Sequence, residues 1–201
     1  MRGWPPQLPM CGPAILPPIL GVTMENSVHG WGEGPLQKAR MTCAPWADKI
    51  QFRLGSGLSV LQPGEATEII IAGMGAETVL EILDAAPWAR NEQYNFVFVP
   101  ATKHSVLRKG LAQRGFALKS ETLCRAAGRL YTVINAQYTG RAAEPTGLAC
   151  LCGKTQGQPE AQAYREQQLV KLKKYRLGLA PGPQADGVDA LIQEMEDGLW
   201  P

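Results

Sequence analysis

A chain of 201 residues, 45% hydrophobic and 19% charged, has the composition of an ordinary globular protein and enough length to bury one principal core. The formal charge of +2 is too small to draw in nucleic acid by itself, so any such affinity must come from how the charges are distributed. No apolar run approaches the roughly 20 residues needed to cross a bilayer, and no internal repeat is visible. Cysteines at 11, 43, 124, 150 and 152 lack the spacing of a zinc site or a disulfide framework, which points to a reducing cytoplasm. Cys150-Leu151-Cys152 reads as a lone C-x-C in a loop with no histidine nearby, so no metal site is expected.

Residues 1–32 are unusual. Pro5, Pro6, Pro9, Pro13, Pro17 and Pro18 forbid a regular helix and disfavour a central strand, which predicts irregular extended chain. An early arginine precedes an apolar stretch here, but the prolines and the missing small-residue cleavage pattern argue against a signal peptide.

From Glu33 the pattern becomes regular. Leu36, Ala39 and Cys43 fall at helical spacing behind Pro35, and Ile50, Phe52 and Leu54 alternate as a strand over 49–54. Ile69-Ile70-Ile71 is a short continuous apolar run, which suits a strand buried on both faces of a parallel sheet. Gly73-Met74-Gly75 then lets the backbone turn sharply into a helix over 76–85, whose buried face is Val79, Leu80, Ile82 and Leu83. This is not the G-x-G-x-x-G fingerprint, since Thr78 stands at the third glycine position.

A compact strand over 94–99 stops at Pro100. The next helix, 103–114, carries Val106, Leu107 and Leu111 inward and Arg108, Lys109 and Arg114 outward. Segments 116–124 and 129–138, joined through Ala126-Ala127-Gly128, form an antiparallel hairpin. After a polar loop, a helix over 159–177 and a short one over 188–195, separated by Pro181-Gly182-Pro183, make a small helical hairpin. The expected organisation is an atypical segment 1–32, a partial Rossmann-like domain 33–140, and a linker with the helical hairpin over 141–201.

The ordered series "GPLQKAR", "DKIQFRLGSGL", "IIIAGMG", "SVLRKGLAQRGFALKSETL" and "GRLYTVINAQY" resembles the bacterial tRNA (adenine-22-N1)-methyltransferase family over roughly residues 33–178. The resemblance implies a Rossmann-like methyltransferase sheet, mostly parallel with a C-terminal antiparallel hairpin, S-adenosylmethionine as cofactor and tRNA as partner. It also implies sites: Ser56, Gly57, Ala72 and Gly73 beside the cofactor, Gly73, Met74, Gly75 and Pro100 around the target base. Arg108, Lys109, Lys171, Lys173, Lys174 and Arg176 are the residues that could meet RNA phosphates, and Tyr175 could stack on a base.

The chain departs from the family in four places. No D-I-G-x-D-H loop precedes Glu33, and His29, Gly30, Trp31 and Gly32 stand where an acidic residue would hold the ribose. Ser56 replaces an aspartate, and Val99-Pro100-Ala101 replaces glutamine-proline-asparagine. The first strand is thus expected to be missing, as in an N-terminally incomplete or divergent member, with 14–22 an unpromising substitute because of Pro17 and Pro18. Two alternatives stay open: a non-catalytic RNA-binding remnant that no longer holds the cofactor, and a different Rossmann-like enzyme with another nucleotide cofactor. His29 and His104 have no evident partner and are read as surface or structural residues; Glu121 is read as structural. The oligomeric state is left open.

Overall fold

A computed structural model describes residues 20–22, 27–30 and 33–201. The expectation for the remainder of 1–32 lies outside the described residues. Seven strands form one sheet: β1 (Leu20–Val22), β2 (Ser27–Gly30), β3 (Gln51–Leu54), β4 (Glu68–Ala72), β5 (Asn95–Val99), β6 (Phe116–Ala126) and β7 (Arg129–Tyr138). Their spatial order is β3-β2-β1-β4-β5-β7-β6. The helices are α1 (Glu33–Thr42), α2 (Ala76–Asp84), α3 (His104–Gln113), α4 (Gly147–Cys152), α5 (Ala161–Leu177) and α6 (Pro183–Glu196).

Strand directions place the functional edge. β2 is parallel to β3, and β4 to β5, while β1 is antiparallel to both β2 and β4. Hence β2, β3, β4 and β5 all point the same way, and their carboxyl ends share one edge. The central place where a parallel first strand would lie is taken by three residues running backwards. The gap is therefore filled by Leu20–Val22, just beyond Pro17 and Pro18, which made 14–22 an unpromising substitute on sequence grounds. Three ladder residues are a minimal substitute, but they give the facing backbone groups of β2 and β4 partners.

The core lies on one face of this sheet. Ile69 and Ile71 of β4 and Phe96 and Phe98 of β5 are fully buried and cluster with Val79, Leu80, Ile82 and Leu83 of α2 and Leu107 and Leu111 of α3. Ile70 and Val97, pointing the other way, keep partial exposure. The triple isoleucine was expected to be buried on both faces; only the alternate pair is, because α2 and α3 pack side by side and cover a single face.

The hairpin reaches past the sheet. β5 pairs with β7 only over Asn95–Phe98 and Ile134–Gln137, so the first residues of β7 and the paired end of β6 run on beyond the carboxyl end of β5. There Leu123 and Leu130 pack against Ala161 and Tyr164 in the first turn of α5. The α5/α6 hairpin is thus docked beside the edge where the parallel strands end.

Two local readings change. Pro183 does not break α6 but opens it, at a position where a missing N–H costs nothing. Residues 147–152, read as loop, form α4, capped by the Thr146 hydroxyl accepting from the Ala149 N–H at 3.2 Å. Cys150 and Cys152 are therefore in a helix, both buried, and burial pushes both thiols upward in pKa. Among the described residues no group of three or more potential ligands comes together.

Candidate functional site

The turn after β4 follows from its glycine. Gly73 has φ 75°, a left-handed conformation that costs other residues about 1–2 kcal/mol. Its N–H donates to the Val99 carbonyl at 2.9 Å, and the Ala101 N–H donates to the Met74 carbonyl at 2.8 Å. A further bridge joins Gly75 to Thr102. The two strand-to-helix turns are thereby zipped into one wall at the carboxyl edge, with α2 and α3 rising behind it. An ion pair between Glu77 and Lys103 spans the same two turns, and Lys103 holds the Glu77 carboxyl below its ordinary pKa range. Lys103 itself sits at φ 56°, a strained conformation for a lysine, at the start of α3.

The structure brings some of the candidates together here. Gly73 is exposed and Ala72 and Gly75 are half-buried at the edge, beside Pro100. Met74 was expected to offer an apolar surface to the gap. Its side chain is 6% exposed and joins the main core instead, because it fills space beneath α2; only its main chain contributes to the wall. Pro100 is buried as well. Ser56 and Gly57 follow β3 at the same edge, with β2 and β1 between them and Gly73. Ser56 is exposed; Gly57 is buried at φ 56°, and a Cβ there would stand 2.9 Å from Ile82 of α2. β1 leaves the sheet at the opposite edge, so its carboxyl end adds nothing to this wall. A depression of about 430 Å³ lined by Phe116, Ala117, Thr139 and Arg141 also lies at that opposite edge and holds none of the candidates.

Of the six basic candidates, Arg108 is a correction. It was expected to point outward but is 2% exposed, because it falls on the inward stripe of α3 between Leu107 and Leu111. Its guanidinium donates to both Glu121 oxygens, to the carbonyls of Cys150 (2.8 Å) and Leu151 (3.1 Å), and to the Tyr164 hydroxyl (3.1 Å). Val106, expected inward on the same helix, is exposed. Lys109 pairs with Glu144, Lys173 with Glu196 and Arg176 with Asp189. Lys171 and Lys174 are exposed on α5 and have no ion-pair partner among the described residues. Exposed Val170, Tyr175 and Leu177 lie on the same helix, and Tyr175 accepts from Gln184.

Sequence reasoning missed the polar cluster around Tyr164. His104 Nδ1 is 3.1 Å from the Tyr164 hydroxyl and 3.3 Å from Thr132 Oγ1, and the two rings stack with centroids 6.0 Å apart. Burial first, then the positive charges of Arg108 and Lys171, lower the His104 pKa to about 4, so the ring is neutral at pH 7. Burial pushes the Tyr164 hydroxyl upward. One signal was available: Arg108 lies four residues after His104, on the same helical face as Leu111.

A mixed sheet in which β2, β3, β4 and β5 run the same way, with a closing antiparallel hairpin and a glycine wall at their shared carboxyl edge, defines a Rossmann-like methyltransferase fold. Residues 26–134, over half of the chain, match the methyltransferase domain family, and the chain belongs to that family. It is 31% identical over 126 residues to the tRNA (adenine(22)-N(1))-methyltransferase of Bacillus subtilis (strain 168), covering 63% of this chain and 52% of that protein. The chain thus spans about half the length of the curated relative it matches. Two solved structures are similar in fold. A candidate tRNA (m1A22) methyltransferase of Streptococcus pneumoniae, in complex with S-adenosyl-L-methionine, superposes with TM-score 0.70 at 20% identity, covering 86% of this chain and 80% of that one. M. capricolum TrmK in complex with S-adenosyl-homocysteine gives TM-score 0.64 at 18% identity over 85% and 78% of the two chains. The resemblance and the fold class read from the sequence are borne out.

Proposed function

We propose that this chain transfers a methyl group from S-adenosylmethionine to N1 of an adenine in tRNA, in the cytoplasm of a bacterium. The observation that carries the reading is the exposed Gly73 turn, zipped to the turn after β5 at the edge where four parallel strands end. Ligands of open α/β sheets bind beyond such ends.

The groups at this edge fit the cofactor in chemistry. Gly73 has no side chain to hold a ligand away from the backbone, and the exposed Ser56 hydroxyl can accept from an adenine amino group. Ala72 and Gly57 complete the proposed cofactor side; Gly73, Gly75, Pro100 and the Met74 main chain form the base side. When bound, the cofactor would supply an electrophilic sulfonium methyl for in-line transfer to the N1 lone pair, with sulfur as the leaving group keeping the electron pair of the S–C bond. No proton has to move, because N1 is unprotonated at neutral pH. The chain's residues therefore need only align the reactants and exclude water, and alignment can supply about 7–11 kcal/mol of the barrier.

RNA capture is assigned to α5, with Lys171 and Lys174 as the uncompensated cations and Tyr175 as a stacking surface. Lys109, Lys173 and Arg176 would exchange an intramolecular carboxylate for a phosphate. Titration calorimetry tests the cofactor half: micromolar binding, on the order of −8 kcal/mol, is expected for S-adenosylmethionine. No heat alongside retained tRNA binding would overturn the enzymatic reading and leave an RNA-binding remnant.

A further inference from the structure

The polar cluster forms a continuous chain of contacts from the crevice wall to the helical hairpin. It begins at His104, the first residue of α3 directly after the turn from Pro100 to Lys103, passes from its imidazole to the Tyr164 hydroxyl, and continues to Arg108. Arg108 is anchored in turn on Glu121 of β6 and on the carbonyls that end α4. Arginine can only donate, so the Tyr164 oxygen accepts from it and its own proton is free for His104 Nδ1. A neutral imidazole has one acceptor nitrogen, and the Tyr164 proton directed at Nδ1 from 3.1 Å selects the tautomer in which Nδ1 accepts. Tyr164 lies in the first turn of α5, two turns before Lys171, and is buried between Arg108 and His104.

We propose that Tyr164 is a positioning residue for the crevice: through His104 its hydroxyl fixes the turn from Pro100 to Lys103 and so sets the reach from α5 to the base side of the wall. This rests on the methyltransferase reading for its consequence in turnover, but not for its structural content. The surface ion pair of Arg125 with Glu160 also ties β6 to the start of α5, yet touches nothing in that turn. It supplies the control.

The test uses the full chain with Tyr164→Phe, which keeps the ring and removes only the hydroxyl. Hydrogen exchange of the amides of 101–107 is expected to rise about tenfold, with the rest of α3 and α5 unchanged; Arg125→Ala should leave 101–107 within about twofold of the parent. His104→Gln, which attacks the contact from the other side, should give the same local increase. With S-adenosylmethionine and unmodified tRNA, Tyr164→Phe should lower kcat about tenfold at unchanged KM for tRNA. A parent with no turnover would sink the enzymatic reading alone, since the exchange experiment still decides this one. Unchanged exchange at 101–107, or an equal increase throughout α3 and α5, would overturn the proposal.

Discussion

Arg108 of α3 and Glu121 of β6 form an ion pair with Nη2 and Oε2 2.7 Å apart, both side chains essentially inaccessible to water. Removing one partner of such a pair strands a buried charge. Arg108→Met and Glu121→Leu should each cost about 3–5 kcal/mol in urea unfolding. The double variant should lose less than the sum, by about 1 kcal/mol or more, because neither charge is then left alone. It should not regain parent stability, since the Cys150 and Leu151 carbonyls lose their donor.

His104 gives the fold a pH dependence with a definite sign. Its pKa falls from 6.5 to about 4 on folding, so between those values the unfolded chain binds the proton and the folded chain does not. Its contribution is therefore complete above about pH 6.5, is lost as pH falls toward 4, and changes no further below that. The loss attributable to this residue is at most about 3 kcal/mol. His104→Gln should flatten this part of the stability curve measured by denaturant titration across pH 4–7.

The hairpin turn holds Ala127 at φ 47° and Gly128 at φ 74°, the pair of positive values that a two-residue type I′ turn requires. Glycine accepts this conformation freely and alanine does not. Ala127→Asn should raise stability by about 0.5–1 kcal/mol, read as a higher urea midpoint at unchanged slope.

Gly57 combines a left-handed backbone with close approach to Ile82. Gly57→Ala should destabilise by about 1–3 kcal/mol, through strain and overpacking together. Ser56→Ala, at an exposed position beside it, should leave stability within about 0.5 kcal/mol, which separates the packing role of the glycine from the binding role proposed for the serine.

If α5 grips tRNA, the two uncompensated lysines matter more than the paired ones. Lys171→Ala and Lys174→Ala should each reduce the slope of log affinity against log salt by about 1. Lys173→Ala should do less, because Lys173 must first give up Glu196.

Much of the fold was legible because local signals agreed with tertiary placement. The isoleucine run, the glycine turn and the Val79–Leu83 stripe give β4 and α2 directly, and β7 keeps the span read from its apolar residues. What failed needed long-range information. Nothing near Arg108 announces that Glu121 will meet it, so a lone arginine on an apolar stripe reads as outward. Met74 looks like a ligand surface until α2 is laid over it. The direction of a three-residue strand such as β1 is set by its neighbours in the sheet, not by its sequence. Thr146, by contrast, was a helix cap in plain view.

The most direct measurement is nucleoside mass spectrometry of unmodified tRNA after incubation with the full chain and S-adenosylmethionine bearing an isotopically labelled methyl group. The account predicts labelled 1-methyladenosine and no other labelled nucleoside. Absence of that label, under conditions where cofactor and tRNA both bind, would contradict it.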